Sequence, residues 1–224
     1  MKLKNRILFV EGSDDFHTVM AILNHYQVDE TFSVIIPDSE GKVNQKARPT
    51  ELGGIHNVLK AADVFLIDNS NSERIGIVID ADEDINARWQ SVLSILSKAG
   101  YTNLPKNPNL DGTIIKQDDK TTFGVWIMPD NQTRRGFLET FLTFLVDEND
   151  DSWQKAKSCV ANLTNKPFIK PNTDHMVKAE IYTFLAWQEE PGKPFGQAIT
   201  AKYLQAENPN CENFVNWLKR LFVE

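Results

Sequence analysis

The chain is poor in the residues that build disulfide frameworks and soft-metal sites. Only two cysteines, Cys159 and Cys211, occur in 224 residues, and their spacing makes neither a zinc motif nor a disulfide scaffold. Both fall in apolar helical patterns, which predicts reduced, half-buried thiols. The four histidines, His17, His25, His56 and His175, show no ligand spacing. Positive charge is also short. The net charge of −7 argues against a broad basic surface that would grip nucleic acid unaided. No apolar run approaches the ~20 residues of a membrane span. The one that follows Met1-Lys2-Leu3-Lys4 is too short for a signal peptide. Internal repeats and low-complexity segments are absent. These absences predict a soluble, cytoplasmic protein with no membrane partner.

What is present is an ordinary globular composition, 41% hydrophobic and 25% charged, so a packed core is expected rather than disorder. Two acidic clusters, each following a short apolar run, stand out. Ile7-Leu8-Phe9-Val10 runs into Glu11-Gly12-Ser13-Asp14-Asp15, and Ile75-Gly76-Ile77-Val78-Ile79 runs into Asp80-Ala81-Asp82-Glu83-Asp84. Such β-branched runs read as buried parallel strands. Ligands of open α/β sheets gather beyond the carboxyl ends of such strands, so Glu11, Asp80 and Asp82 are expected in one crevice.

Helical spacing of Phe16, Val19, Met20, Leu23 and Tyr26 predicts a first helix, and Phe32–Ile36 a second strand stopped by Pro37. A polar loop over 38–54 ends in Gly53-Gly54. Ile55–Leu66 carries a second helix, and Trp89–Ala99 a third that stops at Gly100. Thr113–Gln117 and Thr122–Met128, split by a polar turn, predict a hairpin. A fourth helix carries Phe137, Leu138, Phe141, Leu142 and Leu145. Strand–helix alternation predicts an α/β domain over residues 1–146 with a mostly parallel sheet. From 147 to 224 the periodicity is wholly helical. Its stripes are Trp153/Ala156/Val160/Leu163, Val177/Ile181/Phe184/Leu185 and Phe214/Trp217/Leu218/Leu221, predicting a helical C-terminal subdomain packed on the sheet.

Alternate strand residues share a face, so Asp80 and Asp82 project to the same side. Asp15, four residues after Glu11, can lean back toward the same crevice. Carboxylates so gathered repel one another, and a hard divalent cation would remove that cost. Glu11-Gly12-x-x-Asp15 after strand one, with Asp80-x-Asp82 after strand three, resembles the Toprim domain of bacterial primases, topoisomerases and small nucleases, including the OLD-type nucleases. The later segments Trp126–Asp130, Gly136–Glu139, Lys178–Glu180 and Pro191–Gly196 resemble a small uncharacterised Toprim-like group. The resemblance covers roughly residues 5–146 and implies a Toprim-like, Rossmann-like fold with Mg2+ or Mn2+ as cofactor. It implies Glu11, Asp15, Asp80, Asp82 and Asp130 as metal ligands, with Glu11 and Lys178 as catalytic residues. Glu139 stands beside Asp130 as an alternative source of the further acid.

Each residue has a plainer reading. Asp80–Asp84 could simply cap the third helix, Asp130 is a routine turn residue, and Glu139 and Lys178 read as solvated helix residues. Gly53-Gly54 could cradle a phosphate at a helix start, or be an ordinary turn. The leading functional expectation is Mg2+-dependent phosphoryl transfer, phosphodiester hydrolysis of nucleic acid by a small nuclease. Haloacid-dehalogenase-like phosphatase chemistry lacks an Asp nucleophile after strand one. The remaining reading is a non-catalytic metal- or partner-binding module of a defence or repair system with a protein partner. Lys42, Lys46, Arg48, Arg134 and Arg135 are the few candidate holders of a polyanion.

Overall fold

A computed structural model describes residues 5–42, 53–67, 72–170 and 173–224. Its centre is a five-stranded sheet in the order β2-β1-β3-β5-β4. The strands are β1 (Arg6–Phe9), β2 (Ser33–Ile35), β3 (Arg74–Asp80), β4 (Thr113–Ile115) and β5 (Thr122–Met128). The first three and β5 run parallel, whereas β4 pairs antiparallel with β5, making the hairpin expected from sequence.

Helices cover both faces, as the unbroken apolar strands require. Ile7, Phe9, Ile75, Ile77, Ile79, Val125 and Ile127 face α2 (Ile55–Ile67) and α3 (Ile85–Lys98). The alternate residues Leu8, Val10, Val78, Trp126 and Met128 face the other way. They meet α1 (Ser13–His25), α4 (Leu138–Thr143), α6 (Met176–Ala186), α7 (Phe195–Thr200) and α8 (Pro209–Phe222), while α5 (Asp151–Ala161) adds Trp153 and Ala156 to that core. The C-terminal helices therefore complete one layer of the α/β sandwich. Register places Gly76 of β3 opposite Gly124 of β5, and Leu221 of α8 fills the gap between them. A Cβ built on Gly124 would lie 2.2 Å from Leu221 Cδ2, and one on Gly76 2.9 Å from it.

Several details differ from the sequence expectations. The region after 147 is not wholly helical, because β6 (Ile169–Lys170) and β7 (Thr173–Asp174) form a small antiparallel hairpin. α5 ends before Leu163, which is exposed. α7 is too short to show periodicity. Cys211 is buried but Cys159 is exposed. Lys46, Arg48 and most of the 38–54 loop lie outside the described residues. Among those described, no helix is long and apolar enough to cross a membrane.

Candidate functional site

β1 is flanked by β2 and β3, and the chain reaches those neighbours through α1 and α2 on opposite faces of the sheet. The gap between the carboxyl ends of β1 and β3 is therefore the topological switch point, where open α/β sheets bind ligands. Glu11 and Asp80 stand at that point. The backbone N–H of Asp80 donates to Glu11 Oε1 at 2.8 Å, which fixes the glutamate across the gap.

Glu11 is held from behind by the two glycines. Gly54 N–H donates to the Glu11 carbonyl at 2.6 Å. A Cβ on Gly53, whose φ is +85°, would lie 2.3 Å from the same carbonyl. The Gly53-Gly54 pair thus serves as a brace for the Glu11 loop. Both of its amides already carry protein acceptors, Gly53 N–H the Pro37 carbonyl at 2.9 Å and Gly54 N–H the Glu11 carbonyl.

Four carboxyl groups act on one another here. Burial pushes Glu11 up from 4.5 to about 7, with Asp15 adding to the rise. Burial likewise pushes Asp15 from 3.8 to about 7, and Glu139 is the strongest neighbouring charge raising it. Asp80 is held well above the ordinary carboxylate range by burial first, then by Glu11, Asp15 and Glu139. Its Oδ1 is buried with no hydrogen-bond donor. Lys178, from the first turn of α6, supplies the opposing charge. Its Nζ lies 2.9 Å from Glu139 Oε1 on α4 and its charge draws down both Glu11 and Asp80.

The structure thus brings Glu11, Asp15, Asp80 and Lys178 together with Glu139. Glu139 and Lys178 are not the solvated residues their sequence context suggests: Glu139 is 7% exposed and ion-paired. Sequence reasoning named Glu139 as an alternative acid but read it as solvated, because its burial depends on α6, which packs against α4 from a distant part of the chain.

Asp82 and Asp130 are placed differently. Asp82 adopts φ +49°, exchanges backbone hydrogen bonds with Gly136 at 2.9 and 3.0 Å, and ion-pairs through Oδ2 with Arg88. Asp82 therefore lies past the end of β3 in a left-handed backbone conformation, where strand alternation no longer governs side-chain direction. Asp130 spends its carboxylate on its own turn, accepting from Gln132 N, Thr133 N and Thr133 Oγ1. Neither is among the charges acting most strongly on Glu11, Asp15 or Asp80. Asp84, in contrast, caps α3 by accepting from Asn86 N at 3.0 Å, so the plain capping explanation holds for that member of the cluster.

Does this set fit a cation? Among the described residues, no three His, Cys, Asp or Glu side chains stand together as a finished metal site. Glu11 is turned to the Asp80 amide and Glu139 to Lys178. The donor chemistry nevertheless suits a hard cation: buried oxygen ligands, one without a donor, whose mutual repulsion a divalent charge would relieve.

The family described as "Protein of unknown function (DUF3226)" matches residues 5–223, and the chain belongs to it. Neither a curated protein nor a solved structure matches the chain.

Proposed function

We propose that this protein is a divalent-cation-dependent phosphoryl-transfer enzyme of Toprim-like type that hydrolyses phosphodiesters of nucleic acid. The observation that carries the reading is the cluster of Glu11, Asp15, Asp80 and Glu139 around the unpartnered Asp80 Oδ1 at the switch point, with Lys178 as its cation. Asp80 and Asp15 would hold Mg2+ or Mn2+, with Glu11 as a further ligand or as the general base. When bound, such an ion polarises a phosphate and eases deprotonation of water. As the base, Glu11 would take a proton from water. Lys178 donates to the phosphate oxygen on which negative charge accumulates.

The test is titration of Mg2+ and of Mn2+ into the wild type and into an Asp80→Asn variant by calorimetry, with labelled single- and double-stranded DNA and RNA as cleavage substrates. Saturable binding and cleavage, both lost in the variant, are expected. Equal behaviour of the two proteins ends the proposal.

A second reading, a metal-dependent module that docks a protein partner, draws on the fate of the basic residues. Lys42 is paired with Glu40 at 2.6 Å and Arg135 with Glu83. Those cations are partly neutralised by their own chain. Metal binding without cleavage of any substrate selects this reading.

A further inference from the structure

Beside the acidic cluster lies a cavity of about 430 Å³, lined by Ala81, Asp82, Glu83, Asp84, Ala87, Arg88, Phe137 and His175. Its walls are stitched together by the Asp82–Gly136 backbone exchange and by Ile85 N–H donating to the Arg134 carbonyl at 2.9 Å. The shape therefore comes from backbone hydrogen bonds between two loops rather than from side-chain conformation alone. Arg88 ion-pairs with Asp82, yet its Nε is buried with no acceptor. An unsatisfied buried donor is costly, and the Arg88 side chain that carries it forms part of the cavity wall.

We propose that this cavity binds an unpaired nucleobase, with guanine as the preferred base; the choice of ligand class rests on the phosphoryl-transfer reading above. Phe137 and His175 meet edge to face, with ring centroids 5.8 Å apart and an interplanar angle of 80°. They supply an aromatic wall of the kind on which unpaired bases stack. The exposed part of the Arg88 guanidinium donates to the O6 acceptor, and the Asp82 carboxylate accepts from the N1–H and N2–H2 donors of the same guanine edge, the two side chains being 24% and 37% exposed. Uracil offers a single donor between two acceptors and satisfies the pair less well.

Charge also separates base from phosphate. Asp82, Glu83 and Asp84 line the cavity, so a phosphate is disfavoured inside it. Phe137 joins the two regions: it lines the cavity, and Lys178 Nζ sits 4.8 Å from its ring centroid. Phe137 therefore stands between the cavity and Lys178 of the carboxyl cluster. Arg88 in turn lowers the proton affinity of Glu11, so the cavity and the cluster are electrostatic neighbours.

The experiment is titration of GMP, AMP and UMP into the full chain in excess EDTA, followed by calorimetry and by NMR of the aromatic side chains. One saturable site, with GMP bound about tenfold more tightly than UMP, is expected. Phe137→Leu, which keeps apolar volume but removes the stacking face, and Arg88→Ala should each weaken GMP about tenfold, with circular dichroism and melting unchanged in kind. His175→Ala provides an independent probe of the same wall. Asp82→Asn should narrow the preference of GMP over UMP. Asp80→Asn should retain GMP binding while losing Mg2+, so failure of base binding and failure of the metal reading are distinguishable. Absence of saturable binding to the wild type, equal affinity for GMP and UMP, or indifference to Phe137→Leu and Arg88→Ala overturns the assignment. Competition between GMP and a guanine-containing single-stranded hexamer would show the base accepted from a strand; its absence would restrict the site to free nucleotide.

Discussion

Glu11 and Asp80 are 69 residues apart in the chain and share a hydrogen bond of 2.8 Å, from the Asp80 amide to the Glu11 carboxyl. The bond ties the ends of β1 and β3 together and leaves the Asp80 carboxyl without a donor for Oδ1. A buried acceptor of this kind is costly to folding.

The first consequence is a pH dependence of stability in the metal-free protein. Glu11 and Asp15 bind protons more tightly folded than unfolded, rising from 4.5 and 3.8 to about 7. Where the native state binds more protons, stability falls as pH rises. The loss begins near the unfolded values, proceeds from about pH 4 to about pH 7 and then levels. Glu11→Gln mimics the neutral acid. Its melting temperature in EDTA should gain on the wild type across that window and hold a constant lead above it, each kcal/mol being worth ~2–4 °C. A difference that is flat with pH would refute the assignment of burial as the cause.

Lys178 should separate binding from chemistry. Replacing it with Met removes the partner of buried Glu139 and a charge that draws down Glu11 and Asp80. A stability loss of about 1–3 kcal/mol is expected, measured by urea denaturation. The Glu11 and Asp80 carboxyls should titrate higher by NMR. Mg2+ affinity above pH 8 should not weaken, since a repelling cation has gone, while cleavage should fall at least 100-fold. Loss of Mg2+ binding there would make Lys178 a structural support of the cluster instead.

The brace behind Glu11 predicts an asymmetry between neighbouring glycines. Gly53 and Gly54 both have positive φ, but only at Gly53 does a Cβ meet the Glu11 carbonyl, and nothing lies within 4 Å of a Cβ at Gly54. Left-handed backbone alone costs about 1–2 kcal/mol for a residue with a Cβ. Gly54→Ala should lose roughly that amount and keep its cation binding. Gly53→Ala should lose more, about 3 kcal/mol, and should weaken cation binding because Glu11 is displaced. Equal losses at the two positions would sink the brace.

Much of the sheet was legible in the residues. Apolar runs such as Ile75–Ile79 and Val125–Met128 must be buried on both faces, because an unbroken β-branched stretch has no solvent side. Parallel order, the β4–β5 hairpin and the proximity of Glu11 to Asp80 follow from that demand and from short connections. Asp82 was less legible. Strand alternation applies only while the strand lasts, and the backbone turns at φ +49° directly after Asp80 and Ala81.

What local sequence determined here is the α/β alternation and the acidic ends of β1 and β3, since side-chain periodicity is a property of neighbouring residues. Which acids share an environment was decided only by tertiary packing. Glu139 joins the cluster because α6 delivers Lys178 against α4, and Asp82 leaves it because Arg88 and Gly136 claim it from other segments. Burial and ion pairing depend on which distant surfaces meet, and that information is spread over the whole chain rather than held in any one motif.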